Sequence, residues 1–125
     1  MSKICTQKAE IMLLNKNIVK ISVRNDVYLE EEDVREINKA KSCLIKHNYY
    51  RVLHVCGVNS NMSREARDIW ANEDSSKNRL AKAIIINSLA QKMLGNFFIH
   101  FNKPQGPIKL FQTESEALAW LNEFI

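Results

Sequence analysis

Two short apolar runs, each followed by a turn and a helical pattern, most constrain how this chain can fold. Residues 51–56 and 82–86 are apolar at adjacent as well as alternate positions, which is typical of strands buried on both faces. Ser63 and Ser88 follow these runs as candidate N-caps of helices. Buried strands that alternate with helices form parallel sheets through right-handed crossovers. The pattern therefore predicts an α/β fold with a mixed, mostly parallel sheet and helices packed on it.

The remaining elements follow from local patterns along the chain. Two β-rich runs around an Asn-Lys-Asn turn predict an N-terminal hairpin that leads into the sheet. Four carboxylates at 30–33 suit the positive end of a helix dipole, so we expect a helix from there to about His47. Further predicted elements are a short helix from Asp74 through Leu80, a helix over 88–101, a strand at 108–111 and a last helix in which Thr113 and Glu116 form a capping box.

Composition excludes several classes of protein. Of the 125 residues, 46% are hydrophobic and 26% are charged, with 3 Gly and 2 Pro, so the chain is neither disordered nor collagen-like. We expect a single domain over 1–125, since domains usually have about 100–200 residues. No apolar run approaches the roughly 18 residues of a membrane span. The three cysteines are an odd number and no secretory signal is recognisable, so we expect a reducing cytoplasm.

The positive charge is concentrated in one half of the sequence. The net charge is +4, yet residues 75–113 contain six Lys or Arg and no Asp or Glu. These side chains form a basic patch if they share one face, and otherwise they are scattered solvated groups. We do not expect nucleic-acid binding, because no known motif occurs and the aromatic residues Phe97, Phe98 and Phe101 lie on a helix that the fold would bury.

No catalytic or metal-binding motif is recognisable in the sequence. Cys43 and His47 share a helix face, and His54 and Cys56 share a strand face, but no Cys-x-x-Cys or His-rich cluster accompanies them. A base–nucleophile–orienter trio of His54, Ser63 and Asp68 is conceivable, although the spacing does not single it out. The prediction is therefore a protein that is not an enzyme and has neither a metal nor a cofactor.

Several segments carry a resemblance to a known family. Residues 53–58, Leu-His-Val-Cys-Gly-Val, resemble a strand that ends in Leu-Asp-x-Ser-Gly-Val in the STAS fold of bacterial anti-sigma-factor antagonists. The tail, with Gly-Asn-Phe-Phe at 95–98, Lys-Pro at 103–104 and Glu-Ala-Leu-Ala-Trp-Leu at 116–121, is similar to small stand-alone bacterial relatives of the SpoIIAA-like group. The resemblance extends from about Ala9 to the end of the chain. It implies a STAS-like, SpoIIAA-like fold.

The resemblance also implies a function and a candidate site. In antagonists, the loop after this strand leads to a helix whose start carries a phosphorylatable serine within an Asp-Ser-Ser-Gly-like run; here the place has Met62, Ser63, Arg64 and Glu65. We expect a non-enzymatic regulatory module that docks a protein partner through residues 57–67. Arg64, Glu65 and Arg67 would set the charge of the partner, and Ser63 is either a helix cap or a phosphoacceptor.

A second hypothesis rests on the helix over 88–101. Its apolar arc is wider than a single sheet contact needs, and it includes Met93, Phe97, Phe98 and Phe101. These side chains either pack in the core or form a strip that binds a protein partner, an apolar small molecule or lipid, or a second copy of the chain. Lys92 and Lys103 flank the strip and would suit an anionic head group. The alternative function is thus a small-molecule or lipid carrier.

Overall fold

The structure, a computed structural model, describes residues 3–15, 17–45, 49–73, 78–104 and 106–124. Eight strands and four α-helices make up the described chain, and a short π-helical segment, Phe98–Asn102, follows the third helix. The strands are β1 (Lys3–Cys5), β2 (Ala9–Asn15), β3 (Ile18–Val23), β4 (Tyr28–Leu29), β5 (Tyr50–Val55), β6 (Asn61–Met62), β7 (Arg79–Ile85) and β8 (Ile108–Phe111). The helices are α1 (Glu31–Leu44), α2 (Arg64–Glu73), α3 (Leu89–Phe97) and α4 (Glu114–Leu121).

Six of the strands form one sheet in the order β1-β2-β3-β5-β7-β8. The pairs at the N-terminal edge, β1 with β2 and β2 with β3, are antiparallel, and the other three pairs are parallel. The predicted hairpin and the mixed, mostly parallel α/β sheet are therefore confirmed. The short strands β4 and β6 pair in parallel beside it and fix the loop that precedes α2.

The two faces of the sheet carry different helices. On one face, side chains of β2, β3 and β5 pack with α1 and α2, and Trp70 and Phe98 complete this core. On the other face, Leu53 and the alanines of β7 pack against Ala117 and Leu121 of α4. No helix in the described ranges is long and apolar enough to cross a membrane.

The predicted helix caps are confirmed in atomic detail. The Ser88 hydroxyl oxygen accepts a hydrogen bond from the backbone N–H of Gln91 at 3.1 Å. The Thr113 hydroxyl oxygen accepts from the Glu116 N–H at 3.2 Å, so the Thr113 cap is confirmed. Such bonds satisfy N–H groups that have no partner within the helix. The Glu116 carboxylate accepts from the Thr113 hydroxyl at 2.9 Å rather than from the Thr113 backbone N–H, as the predicted capping box requires.

Three local predictions differ from the structure. The predicted short helix from Asp74 through Leu80 is wrong at its end, because Arg79 and Leu80 begin β7. The hydrogen bonds that pair β7 with β5 outweigh the polar local sequence. The predicted start of this helix, Asp74, lies outside the described residues. The helix over 88–101 is α-helical only to Phe97 and then widens into the π-helical segment. Strand β1 was not predicted. Helix α1 ends at Leu44, with Ile45 already extended, which is short of the predicted end at about His47, a residue outside the described ranges.

Candidate functional site

The loop over residues 57–62 is held rigidly against the turn after β3. A side chain at position 57 would overlap the backbone carbonyl of Arg24, so only glycine fits there. The Val58 N–H donates to the Asn25 side chain at 2.8 Å, and the Asn61 N–H donates to the Val27 carbonyl at 3.0 Å. The loop is therefore a fixed surface rather than a loosely tethered one.

The loop leads into the first turn of α2, where the predicted docking residues lie. The Ser63 hydroxyl oxygen accepts a hydrogen bond from the Ala66 N–H at 3.0 Å, so Ser63 is the N-cap, as one of its two interpretations held. Arg64 and Glu65 are exposed. Arg67 is half-buried, with its guanidinium 5.5 Å from the centre of the Phe97 ring. Arg67 thus connects the helix start to α3.

Helix α3 and the π-helical segment that follows it have one face against the protein and one face in solvent. Gly95 packs so closely on Leu110 of β8 that an added Cβ would lie 2.9 Å from a methyl group of that side chain. Phe98 is only 8% exposed and belongs to the core. The opposite face carries what we call the apolar strip, with exposed fractions of 72% for Leu89, 65% for Met93, 45% for Phe97 and 72% for Phe101.

The residues of the apolar strip recur at every fourth position, so their side chains lie one after another along the same side of the helix. The rings of Phe97 and Phe101 stack with their centres 4.5 Å apart. The predicted apolar arc therefore divides: Phe98 packs in the core, and Met93, Phe97 and Phe101 do not. An exposed row of this kind on a small protein is typical of an interaction site.

A groove of about 540 Å³ separates the strip from the loop over residues 57–62. Its volume falls within the range of ligand-binding clefts, about 300–1,000 Å³. One wall is apolar and belongs to α3, and the other wall is polar and belongs to the loop and α2. The lining residues are Asn59, Ser60, Asn61, Arg67, Ser88, Ala90, Gln91, Met93, Leu94 and Phe97.

The side chain of Gln91 bridges the two walls of the groove. Its amide nitrogen donates to the Gly57 carbonyl at 2.8 Å and lies 3.4 Å from the Ser60 carbonyl oxygen. Its amide oxygen accepts from the Asn87 N–H at 2.7 Å. Gln91 is buried, and it fixes the distance between α3 and the loop.

A smaller cavity of about 60 Å³ lies beneath the groove, between α3 and the sheet. It shares five lining residues with the groove: Ser60, Asn61, Arg67, Gln91 and Leu94. Its other lining residues come mainly from the strands and are Val23, Leu29, His54, Cys56, Met62, Lys82, Ile84, Ile86, Gly95 and Phe98.

Burial changes the acid–base properties of the polar groups in this cavity. Burial, together with the charges of Lys82 and Lys41, holds the pKa of His54 well below its usual value. Burial raises the pKa of the Cys56 thiol to about 11. The pKa of Lys82 is also well below its usual value because of burial and the nearby Arg79 charge, and its ammonium lies 4.9 Å from the Trp70 ring centre. His54 is neutral at physiological pH, and Cys56 is a thiol.

The structure does not bring the conceivable catalytic trio together. The Ser63 hydroxyl caps α2, and the Asp68 carboxylate accepts from the Asn102 side chain at 2.7 Å. Among the described residues, neither group hydrogen-bonds to His54, and no three His, Cys, Asp or Glu side chains cluster as metal ligands would. The three cysteines are free thiols.

The basic residues between 75 and 113 do not form one surface patch. Arg79 and Lys82 are buried, whereas Lys92, Lys103 and Lys109 are exposed, and Lys77 lies outside the described residues. A signal for the burial of Lys82 was present in the sequence, because it lies within the most apolar strand. Nothing in the sequence pattern singled out Gln91, since its importance depends on the loop that it contacts.

Comparisons with known proteins give a family and a fold. The family model described as a domain of unknown function, DUF7793, matches residues 12–125. The chain belongs to the DUF7793 family. No curated protein matches it. The chain is similar to the crystal structure, at 2.25 Å resolution, of an uncharacterized DUF3478-family protein with a SpoIIAA-like fold from Shewanella loihica PV-4, with 18% identity and a TM-score of 0.61.

That similarity covers 90% of this chain and 91% of the Shewanella chain. At this identity it concerns the fold, so this DUF7793 protein has a SpoIIAA-like fold, as the sequence resemblance implied. The family model that matches the chain is DUF7793 and not a STAS family model.

Proposed function

We propose that this DUF7793 protein is a non-enzymatic cytoplasmic module that binds a protein partner in the groove between the loop over residues 57–62 and α3. The observation that carries the proposal is the apolar strip, whose four side chains lie in solvent beside a concave, partly polar surface. Apolar anchors beside a polar rim are the usual composition of a protein interface.

The shape of the surface favours a segment of protein as the occupant. Met93, Leu94 and Phe97 form one wall, which would receive apolar side chains. On the other wall, the Asn59 amide nitrogen donates to Asp26 and the Asn61 amide oxygen accepts from the Met62 N–H, which leaves the Asn59 oxygen and the Asn61 nitrogen for hydrogen bonds with a peptide backbone. Because Gln91 and the turn after β3 fix both walls, little conformational entropy is lost when the partner binds.

The charge around the groove favours an acidic partner. Residues 88–103 contain no Asp or Glu, and Lys92 is exposed on α3. Arg64 and Arg67 lie at the start of α2 on the opposite side, together with the acidic residues Glu65 and Asp68. We expect a partner segment that combines apolar side chains with carboxylates, which complementary charge would also steer into place.

A lipid carrier is the weaker candidate. The cavity of about 60 Å³ beneath the groove is less than half of the roughly 150 Å³ that accommodates one benzene molecule in an engineered protein core. A lipid chain would therefore have to lie in the open groove, where much of its apolar surface stays in water. The exposed strip suits a partner that brings its own apolar surface.

The test is a capture experiment with three baits. Wild type, Met93→Glu and Leu14→Glu are used on lysate of the native host, and captured proteins are purified and titrated against each bait by calorimetry. Met93 lines the groove and is exposed, and Leu14 is an exposed apolar residue on β2, so its substitution is a matched control. We expect one purified protein to bind wild type and the control with equal Kd and to bind Met93→Glu at least about tenfold more weakly. Equal affinity for all three baits would contradict the proposal.

A further inference from the structure

The cavity beneath the groove has a polar rim and an apolar floor. Five residues line both the cavity and the groove, so the two spaces adjoin at these residues. The surface of the cavity below them, its floor, is almost wholly apolar. An apolar depression inside a polar rim is the usual composition of a pocket that receives an anchor side chain of a binding partner. The polar residues of the rim are Ser60, Asn61, Arg67 and Gln91.

The rim is held in place by hydrogen bonds within the protein. The Gln91 side chain donates to the Gly57 carbonyl at 2.8 Å and accepts from the Asn87 N–H at 2.7 Å. The Arg67 guanidinium donates to the Met62 carbonyl at 3.4 Å. The opening is therefore formed before a partner arrives, and little of the rim has to become ordered on binding.

The floor favours an apolar occupant. Ile84, Ile86 and Phe98 are among its residues. The ring of His54, which is 3% exposed, packs edge-on against Trp70 with ring centres 4.6 Å apart. A polar or charged group placed against such a floor loses its hydrogen bonds with water and does not replace them. An apolar group gains packing contacts there instead.

The volume of the cavity limits the size of the occupant. About 60 Å³ corresponds to roughly two water molecules at about 30 Å³ each, which is space for about two or three carbon atoms. A benzene ring occupies a cavity of roughly 150 Å³, so an aromatic side chain is too large. The end of a valine, leucine or isoleucine side chain has the matching size.

We propose that this cavity, which we call the anchor pocket, receives the end of one branched aliphatic side chain, valine, leucine or isoleucine, from the partner segment in the groove. The inference rests on the proposed docking function and adds the kind of residue that the partner has to carry. Residues 88–103 beside the pocket contain no Asp or Glu, so carboxylates on neighbouring residues of the partner are compatible with it.

The first test examines the anchor pocket in this chain alone. The protein is titrated with xenon, a single apolar atom, and with benzene as the larger control, and NMR follows the signals. We expect xenon to cause saturable shifts of the Ile84 and Ile86 methyl groups and the Gly95 amide, all at the pocket, and none at the exposed Leu14. Benzene should leave these signals unchanged. Absence of saturable xenon shifts at the pocket, or equally tight binding of benzene, would contradict the proposal.

The second test uses the purified protein that the wild type captures in the experiment on the groove. Cys56→Leu places a longer side chain at a residue that lines the anchor pocket, and Cys43→Leu makes the same change at an exposed position on α1. We expect Cys56→Leu to bind the captured protein at least about tenfold more weakly, because about two methylene groups of the anchor lose their place at roughly fourfold each. Cys43→Leu should bind as wild type does.

The outcomes distinguish the anchor pocket from the groove. Weaker binding by Met93→Glu together with unchanged binding by a folded Cys56→Leu would overturn the anchor pocket and leave the docking proposal intact. Unchanged binding by both variants, or no specific capture by the wild type, would overturn both. If Cys56→Leu does not fold, saturation of the wild type with the captured protein should abolish the xenon shifts at Ile84 and Ile86, and their persistence would overturn the anchor pocket.

Discussion

Replacing Phe101 by alanine should leave the free energy of unfolding almost unchanged, whereas replacing Phe98 should lower it by several kcal/mol. Phe98 is in the core, and truncation of a buried phenylalanine costs about 3–5 kcal/mol. Only about a quarter of the Phe101 surface is covered by the protein. Its burial therefore contributes about a quarter of the roughly 3 kcal/mol that full burial of a phenylalanine side chain contributes to stability. Even with its stacking on Phe97, we expect a loss below about 1 kcal/mol.

Urea denaturation of both variants and of wild type at two protein concentrations measures these differences. Equal m-values would show that each variant unfolds from a comparable native state. A loss for Phe101→Ala as large as for Phe98→Ala would refute the division of the π-helical segment after α3 into a core face and a solvent face. A loss for Phe101→Ala that appears only at high protein concentration would mean that a second copy covers the apolar strip.

Three further predictions concern the loop, the cap and the buried histidine. Gly57→Ala should destabilise the protein by more than about 2 kcal/mol in urea denaturation, because the new Cβ would overlap the Arg24 carbonyl. Ser63→Ala should lower the melting temperature through the loss of about 1 kcal/mol, because the Ala66 N–H loses its acceptor, whereas Ser63→Asp should keep the cap. Burial lowers the pKa of His54 in the folded protein, whereas the unfolded chain protonates it below about pH 6.5, so it should make the protein less stable at pH 5.5 than at pH 7.5, by at most about 1.4 kcal/mol.

For each of these predictions, one experimental outcome would contradict it. Gly57→Ala with wild-type stability would mean that the loop can move away from the turn after β3. A Ser63→Asp variant as unstable as Ser63→Ala would argue against the capping role. His54→Phe should remove the histidine part of the pH dependence, and the adjacent cavity gives the larger ring room. If His54→Phe and wild type lose the same stability on acidification, His54 is not buried in its neutral form.

Local signals in the sequence predicted most of the fold. The caps at Ser88 and Thr113 depend only on residues within one turn, and both are confirmed. The strand run at 82–86 is apolar enough to indicate burial by itself. The end of the predicted helix at Leu80 was wrong because pairing with β5, a long-range interaction, determines the start of β7.

The candidate site was less predictable because it depends on contacts between distant segments. Spacing showed that Met93, Phe97, Phe98 and Phe101 lie on one broad arc, but not which of them the sheet covers. The answer depends on the close approach of Gly95 to β8. The structure shows that Ser63 caps α2 and that Arg67 lies over the Phe97 ring. It remains a prediction that the partner is docked by Ser63, Arg64, Glu65 and Arg67.

The most direct test of the docking proposal is hydrogen–deuterium exchange of this DUF7793 protein with and without its purified partner. We predict slower exchange in two segments, residues 57–62 and α3, with no change in β1 and β2. Protection confined to β1 and β2, with the loop and α3 exchanging as in the free protein, would contradict the proposal that the groove is the binding surface.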